Sequence, residues 1–368
     1  MPTRVRSFSK INLGLAVGPA RADGFHALTT VYQTLQLHDI VTVTAEAATA
    51  TEVTLIANHR SVPRTEAHNA ERNTAYKIVV AALRALNINA LVKIDIDKKL
   101  PVQGGMGAGS ANAAAALLAL ERELQTSLPS PQRLELAALI GSDVPLFLLG
   151  GTVLGLNRGE EVYPLPDSPP VHCVIAVPSV GISTPLAFQQ LDARYQDALE
   201  AHASPFQAKA LTSDPSVDRL KQLSRALASV WSTSGVESGP SGIAHTHRSE
   251  RISGDLPSGR ASEMRDVSGD LAENPLLALV RTGIENDFEE VVFSQHPSLR
   301  STKRDLVGSS RESALYAALS GSGSALFGLY KSQTDARAAQ HRVQQHGTKA
   351  ILTETLPRRA YWPTMFAE

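Results

Sequence analysis

Apolar and polar side chains alternate along "VTVTAEA" from Val41 and "LVKIDID" from Leu91, the period of a strand with one face buried. Between them the period changes. "NTAYKIVVAALRAL" repeats its apolar residues at helical spacing, and Asn73 is suited to cap its first turn. A second helix is expected from Gln132 to Ile140, opened by Pro131 and closed by Gly141. The continuous apolar run "VHCVIAVP" reads as a buried strand, and "TPLAFQQLDARY" as a helix with Thr184 as cap and Pro185 at its first position. "VDRLKQLSRALASVW" also has helical spacing. Nine serines and six glycines then fall between Ser232 and Asp270. So few apolar side chains cannot offset the entropy of ordering, so a flexible insertion is expected there. Pattern returns with helices at "NDFEEVVFSQH" and "SLRSTKRDLV". A strand–turn–strand follows at "ALYAALSGSGSALFGLY", then a helix at "DARAAQHRVQQH" and a strand at "KAILTETL". Strands and helices mix without a strict alternation, which predicts α+β layers and not a doubly wound sheet.

Composition narrows the function classes. The 368 residues allow two domains, and 43% apolar with 19% charged residues is ordinary for a globular chain. A formal net charge of −1 gives no field for holding a polyanion, so neither nucleic acid nor a membrane surface is an expected partner. The single cysteine, Cys173, sits in an apolar run and reads as a buried hydrophobe in a reducing, cytoplasmic compartment. The N-terminal "MPTRVRSFSK" lacks the apolar core of a secretion signal. The most apolar window, Val144 to Leu156, is too short to span a bilayer.

The segment "LPVQGGMGAGSANAAAALLAL", from Leu100 to Leu120, carries the first candidate chemistry. Its glycines lie between a strand and a helix expected over Ser110–Glu123. Amide groups at a helix start are unpaired and carry partial positive charge, and glycine lets an anion approach them. The loop lacks the G-K-[S/T] ending of a Walker A loop, and Gly105, Gly107 and Gly109 give G-x-G-x-G in place of the dinucleotide pattern. A tight turn without a ligand would use the same residues. Other pieces are weaker alone. Asp143 stands between a helix end and an apolar, strand-like run, as either a turn aspartate or a base. Lys10 and Asn12, two residues apart in an early strand, share one face. "RADGFHAL", from Arg21, is a turn followed by Phe25 and His26, and "LSGSGSALFGL" is a second glycine turn.

Taken in order, Lys10-Ile-Asn, Arg21-Ala-Asp-Gly-Phe-His, the Leu100 loop, Gly141-Ser-Asp-Val-Pro and Ser320-Gly-Ser-Gly-Ser resemble the GHMP kinase superfamily. Within it, "RADGFHAL" and "KKLPVQGGMGAGSANAAAAL" are most similar to the branch that phosphorylates 4-diphosphocytidyl-2-C-methyl-D-erythritol. The likeness covers nearly all of the chain except about 196–273. It implies a left-handed βαβ N-terminal domain over 1–165 and a ferredoxin-like C-terminal domain over 166–368, with the insertion at 232–272. It also implies ATP as co-substrate with Mg²⁺ and transfer of the γ-phosphoryl group to the 2-hydroxyl, in the non-mevalonate route to isoprenoids. A monomer or homodimer is expected.

The resemblance also implies site roles. The ATP phosphates would lie on Pro101, Gly104, Gly105, Met106, Gly107, Ala108, Gly109 and Ser110, with Ser110 on the metal. Asn73 and Lys98 would stand near the adenine. Asp143 would take the substrate proton or orient its hydroxyl, with Lys10 beside it to stabilise charge on the attacking oxygen. Asn12 would contact the methylerythritol end. Phe25 and Phe188 would sandwich the cytosine, with His26 reading its polar edge. The Ser320–Ser324 turn would form the facing wall. Phe25 stands where tyrosine is also found, and Met106, Ala108 and Ala111 replace leucine, glycine and serine. Ala111 thereby removes a hydroxyl. A homoserine- or mevalonate-type kinase and a non-catalytic binding module are the competing readings. The aromatic pair argues against the first and the Lys10–Asp143 pair against the second.

Overall fold

A computed structural model describes residues 2–21, 24–102, 104–201, 285–309 and 313–367. Its spine is a long antiparallel hairpin, β1 (Thr3–Ala20) and β2 (His26–Ala47), paired from Thr3 opposite Val43 to Ala20 opposite His26. The first half of β2 pairs with β5 (Thr152–Asn157), which β6 (Glu161–Pro164) extends. The second half pairs with β4 (Ala90–Asp97). β3 (Glu52–Ala57) lies parallel to β4, and α1 (Thr74–Leu86) connects them as a βαβ crossover.

α2 (Ala108–Glu123) covers this sheet, and α3 (Ser130–Ile140) packs on α1. α2 is buried from Ala111 to Glu121. A helix apolar on every side belongs inside, and its run of alanines lets α1 and the β1–β2 hairpin approach closely. Val5, Phe8, Val41, Ile94, Ile78, Leu83, Leu117 and Leu120 form part of that core. Each such aliphatic side chain contributes about 1.5–3 kcal/mol by leaving water.

The second sheet contains β7 (His172–Val177), β8 (Tyr316–Leu319), β9 (Leu326–Tyr330) and β10 (Lys349–Glu354) in the order β10-β7-β9-β8, all antiparallel. One face carries α4 (Thr184–Ala201), α5 (Phe288–Gln295), α6 (Pro297–Val307) and α7 (Gln333–Gln345). This order and these connections are the split βαβ pattern of ferredoxin-like sheets. On the other face, Cys173, Ile175, Phe327 and Leu329 pack on Ile11, Leu13, Val31 and Leu35. The β1–β2 hairpin therefore has α2 on one side and the second sheet on the other. Cys173 is fully buried, and burial raises its thiol well above the ordinary range, so it remains an inert hydrophobe. The chain ends back at the first sheet. α8 (Arg358–Met365) packs there through Tyr361 and Met365, and β11 (Phe366–Ala367) pairs with β1.

The apolar run after Asp143 departs from its expected strand. Pro145–Leu148 forms a 3-10 turn, and β5 starts only at Thr152. Proline removes a ladder donor, and Gly150 must approach the ring of Tyr361, where a Cβ would stand 2.3 Å from Cδ1. α2 begins at Ala108, two residues before its expected start. β3, α8 and β11 carry no strong sequence signal. "VDRLKQLSRALASVW" and the Ser232–Asp270 insertion lie outside the described residues. No described helix is long and apolar enough to cross a membrane.

Candidate active site

The pairing of β1 with β2 is interrupted between Phe8 and Lys10 and again between Asn12 and Gly14. Such bulges re-aim side chains. Here they turn Lys10 and Asn12 toward the loop ahead of α2, and the Lys10 backbone N–H donates to the Met106 carbonyl at 3.1 Å. Lys10 is buried, with its Nζ 3.3 Å from Asp143 Oδ2 and donating to Asn12 Oδ1 at 2.6 Å. This contact fixes the Asn12 amide. Its Nδ2 donates to Thr30 Oγ1 at 2.8 Å, and the Thr30 hydroxyl donates to the Gly14 carbonyl at 2.8 Å. Asp143 arrives from the turn after α3, where the Val144 N–H donates to the Gly141 carbonyl at 3.0 Å. Its Oδ1 accepts from the Tyr32 hydroxyl at 3.0 Å. Burial, then the Asp143 charge, pushes Tyr32 well above the ordinary phenol range, so it stays a protonated donor. Asp143 keeps 28% of its side chain exposed, and that is the open side of the cluster.

The glycine loop stands against this cluster. Gly107, at φ +68°, precedes α2, and no side chain caps the helix there. The N–H groups of Ala108, Gly109 and Ser110 thus have no intrahelical acceptor. A Cβ on Gly107 would stand 2.9 Å from Phe147 Cζ and 3.1 Å from Lys10 Cγ, so glycine is what lets the loop reach the lysine. Met106 turns its side chain into the core below. Ser110 lies in the first turn of α2, its Oγ 3.8 Å from where a Cβ of Gly141 would stand. At the start of α1, Thr74 Oγ1 donates to the Gly109 carbonyl at 2.7 Å. Asn73 is spent locally: its Oδ1 accepts from Ala75 N–H at 2.9 Å and its Nδ2 donates to the Pro63 carbonyl at 3.1 Å.

The second glycine turn meets the first. Ser320 Oγ donates to the Gly105 carbonyl at 3.0 Å, and Ala325 N–H to the Gly104 carbonyl at 3.2 Å. Asn286 holds that turn from below, donating to the carbonyls of Leu319 at 2.9 Å and Gly321 at 2.7 Å. Thr184 and Ser322 share a hydroxyl contact of 2.7 Å. Asn12 Oδ1 lies 3.5 Å from the Cβ position of Gly321, so the turn and the Lys10–Asn12–Asp143 cluster face one space.

Lys98, expected near an adenine, is turned inward. Its Nζ donates to Asp39 Oδ2 at 2.7 Å, both groups buried, while Asp39 Oδ1 accepts the N–H groups of Lys99 and Leu100 at 2.7 Å each. Burial lowers the Lys98 ammonium from its ordinary value, and Asp39 opposes that shift. The pair thereby anchors the strand end that leads through Pro101 into the glycine loop. Asp39→Ala is expected to lower folding stability by about 3–5 kcal/mol in a denaturant titration, because it leaves a buried ammonium unpaired.

The structure brings together His26 and Phe188 of the expected aromatic subsite. Phe188 stacks on His26, with ring centroids 4.7 Å apart and planes at 20°, and meets Phe288 edge-on at 4.9 Å. Phe188 thus covers one face of the His26 ring. His26 Nε2 lies 2.7 Å from Asp192 Oδ1. Phe25 is half exposed, with the Arg158 guanidinium 4.9 Å over its ring. Tyr32, Thr30, Asp39, Asp192 and Asn286 escaped sequence reasoning. Each acts through a partner distant in the chain, apart from Thr30, whose signal is a hydroxyl beside Asn12 across the hairpin.

Residues 73–151 match the family model described as GHMP kinases N terminal domain, and residues 269–349 the one described as GHMP kinases C terminal. A 4-diphosphocytidyl-2-C-methyl-D-erythritol kinase of Solibacter usitatus is 30% identical over 368 residues, covering 99% of this chain and 93% of that protein. One of the same name from Rhodococcus jostii is 41% identical over 191 residues, covering 52% of this chain and 60% of that protein. Among solved structures, a 4-(cytidine 5'-diphospho)-2C-methyl-D-erythritol kinase superposes with a TM-score of 0.61 at 24% identity, covering 96% of this chain and 98% of that one. A mevalonate kinase superposes with a TM-score of 0.59 at 9% identity, covering 96% and 99%. These two structural likenesses concern the fold.

Proposed function

The chain belongs to the GHMP kinases, and from that premise we propose that it transfers the γ-phosphoryl group of ATP to the 2-hydroxyl of 4-diphosphocytidyl-2-C-methyl-D-erythritol. The reaction is a step of the non-mevalonate route to isoprenoid precursors, in the reducing cytoplasm that a single buried cysteine suits. The observation that carries the reading is the Lys10–Asp143 contact of 3.3 Å against a loop whose Gly104, Gly105 and Gly107 all have positive φ.

Phosphoryl transfer asks mainly for positioning and charge neutralisation. The exposed N–H groups at the start of α2 receive the phosphates, and Gly105 and Gly107 keep the cradle free of side chains. Asp143 accepts the hydroxyl proton through its open side, and Lys10 offsets the charge that grows on the attacking oxygen. The chemistry that Mg²⁺ arriving with the nucleotide would supply is neutralisation of the phosphate charge. The Ser110 hydroxyl beside Gly141 is the group that would hold the ion. No cluster of three or more His, Cys, Asp or Glu occurs among the described residues. A magnesium ion that keeps its waters and the phosphates needs no such cage. Asn12, its amide oriented by Lys10, offers N–H to the substrate's polyol.

The test is ATP consumption with each of three acceptors. Turnover with the cytidyl diphosphate substrate and at least about a hundredfold lower kcat/KM with homoserine or mevalonate is expected. Turnover with homoserine or mevalonate alone would reject the substrate assignment.

A further inference from the structure

Asp143 has two oxygens, and different elements hold them. Lys10 of β1 takes Oδ2 and the Tyr32 hydroxyl of β2 takes Oδ1. The fold makes specific room for that hydroxyl. A Cβ on Gly159, in the turn between β5 and β6, would stand 2.4 Å from the Tyr32 hydroxyl oxygen, and one on Gly155 would stand 2.5 Å from Cε2 of its ring. Tyr32 is buried among these glycines, and its ring also lies 5.3 Å from Lys10 Nζ. The carboxylate it touches is partly open to solvent. Without a second donor, such a carboxylate turns about its Cβ–Cγ bond and offers the wrong lone pair for much of the time.

We propose that Tyr32 is a positioning residue for phosphoryl transfer, locking the Asp143 carboxylate so that one oxygen lone pair faces the acceptor hydroxyl. The proposal rests on the reading of Asp143 as the proton acceptor and adds a residue to it. Tyr32 is buried and reaches the site through Asp143, so its loss is expected to change the chemical step and not the binding steps. A role in folding alone would lower the fraction of active protein and leave kcat per active site intact.

The experiment measures kcat per titrated active site and KM for both substrates in Tyr32→Phe, Gly159→Ala, the double variant and Asp143→Asn. Tyr32→Phe is expected to lower kcat about tenfold with both KM values within about twofold, the mark of an interaction that matters only after binding. Gly159→Ala, whose methyl group would displace the hydroxyl, is expected to lower kcat similarly. In the Tyr32→Phe background the same alanine meets no hydroxyl, so the double variant should fall no further. Wild-type kcat in Tyr32→Phe, a change confined to KM, or multiplying effects in the double variant would overturn the proposal while Asp143→Asn is inactive. Turnover retained in Asp143→Asn would instead overturn the reading on which the proposal rests.

Discussion

Asp143→Asn is expected to lower kcat by about three orders of magnitude while ATP and the acceptor still bind. General-base catalysis accounts for about 10²- to 10⁴-fold, and this substitution removes more than a base. The carboxylate is also the counter-charge that Lys10 meets at 3.3 Å. An amide turned so that its oxygen still accepts from Tyr32 would present its NH₂ group to the Lys10 ammonium, one donor against another. The lysine then loses the partner that aims it at the attacking oxygen. Nothing in the glycine cradle changes, so equilibrium dialysis with ATP should give an affinity within a few-fold of the unaltered protein. Single-turnover kinetics separate the two effects, and unchanged turnover would remove Asp143 from the mechanism.

Gly105→Ala is expected to lower turnover by at least about a hundredfold in a protein that still folds. Gly105 lies at φ +74°, where a side chain costs about 1–2 kcal/mol. Its new Cβ would also stand 1.9 Å from the Ser320 carbonyl oxygen and 2.9 Å from that carbonyl carbon. Both are backbone atoms, so the two glycine turns must separate. The bonds from Ser320 to Gly105 and from Ala325 to Gly104 are the ones at risk. A displacement of about 1 Å at a catalytic site can cost a hundredfold in rate. Gly347→Ala is the matched control. Gly347 has a similar φ of +81° but nothing within 4 Å of the added methyl group, so only the backbone cost should appear. Equal losses in the two variants would mean that contact between the turns does not matter.

The site was legible in the sequence to the extent that its chemistry is local. Lys10 and Asn12 share a face because a strand has period two, and the Gly104–Gly109 loop announces bare backbone before a helix. The helix at Asn73 follows from its cap and period, and that cap forms as a side-chain bond; the helix at "DARAAQHRVQQH" follows from its spacing, and the structure adds Ser332 as its cap. What remained hidden depends on long-range partners. Tyr32 reads as one more aromatic in a strand until Asp143, 111 residues on, meets its hydroxyl. Asp39 looks like a surface turn residue until Lys98 folds onto it. The apolar run after Asp143 has the composition of a strand, but Pro145 and Gly150, which must clear Tyr361, make it a turn. The same limit holds at the aromatic subsite: the sequence names Phe25, His26 and Phe188 but not which rings stack, and here Phe188 meets His26.

The most direct test of the account is the position of the transferred phosphate. The acceptor carbon of the proposed reaction bears a methyl group and no hydrogen, so its phosphate ester has no three-bond coupling to a proton. A new phosphomonoester singlet is expected in a proton-coupled ³¹P spectrum of the reaction with ATP and 4-diphosphocytidyl-2-C-methyl-D-erythritol. A monoester signal split by neighbouring protons, or inorganic phosphate as the sole new species, would contradict it.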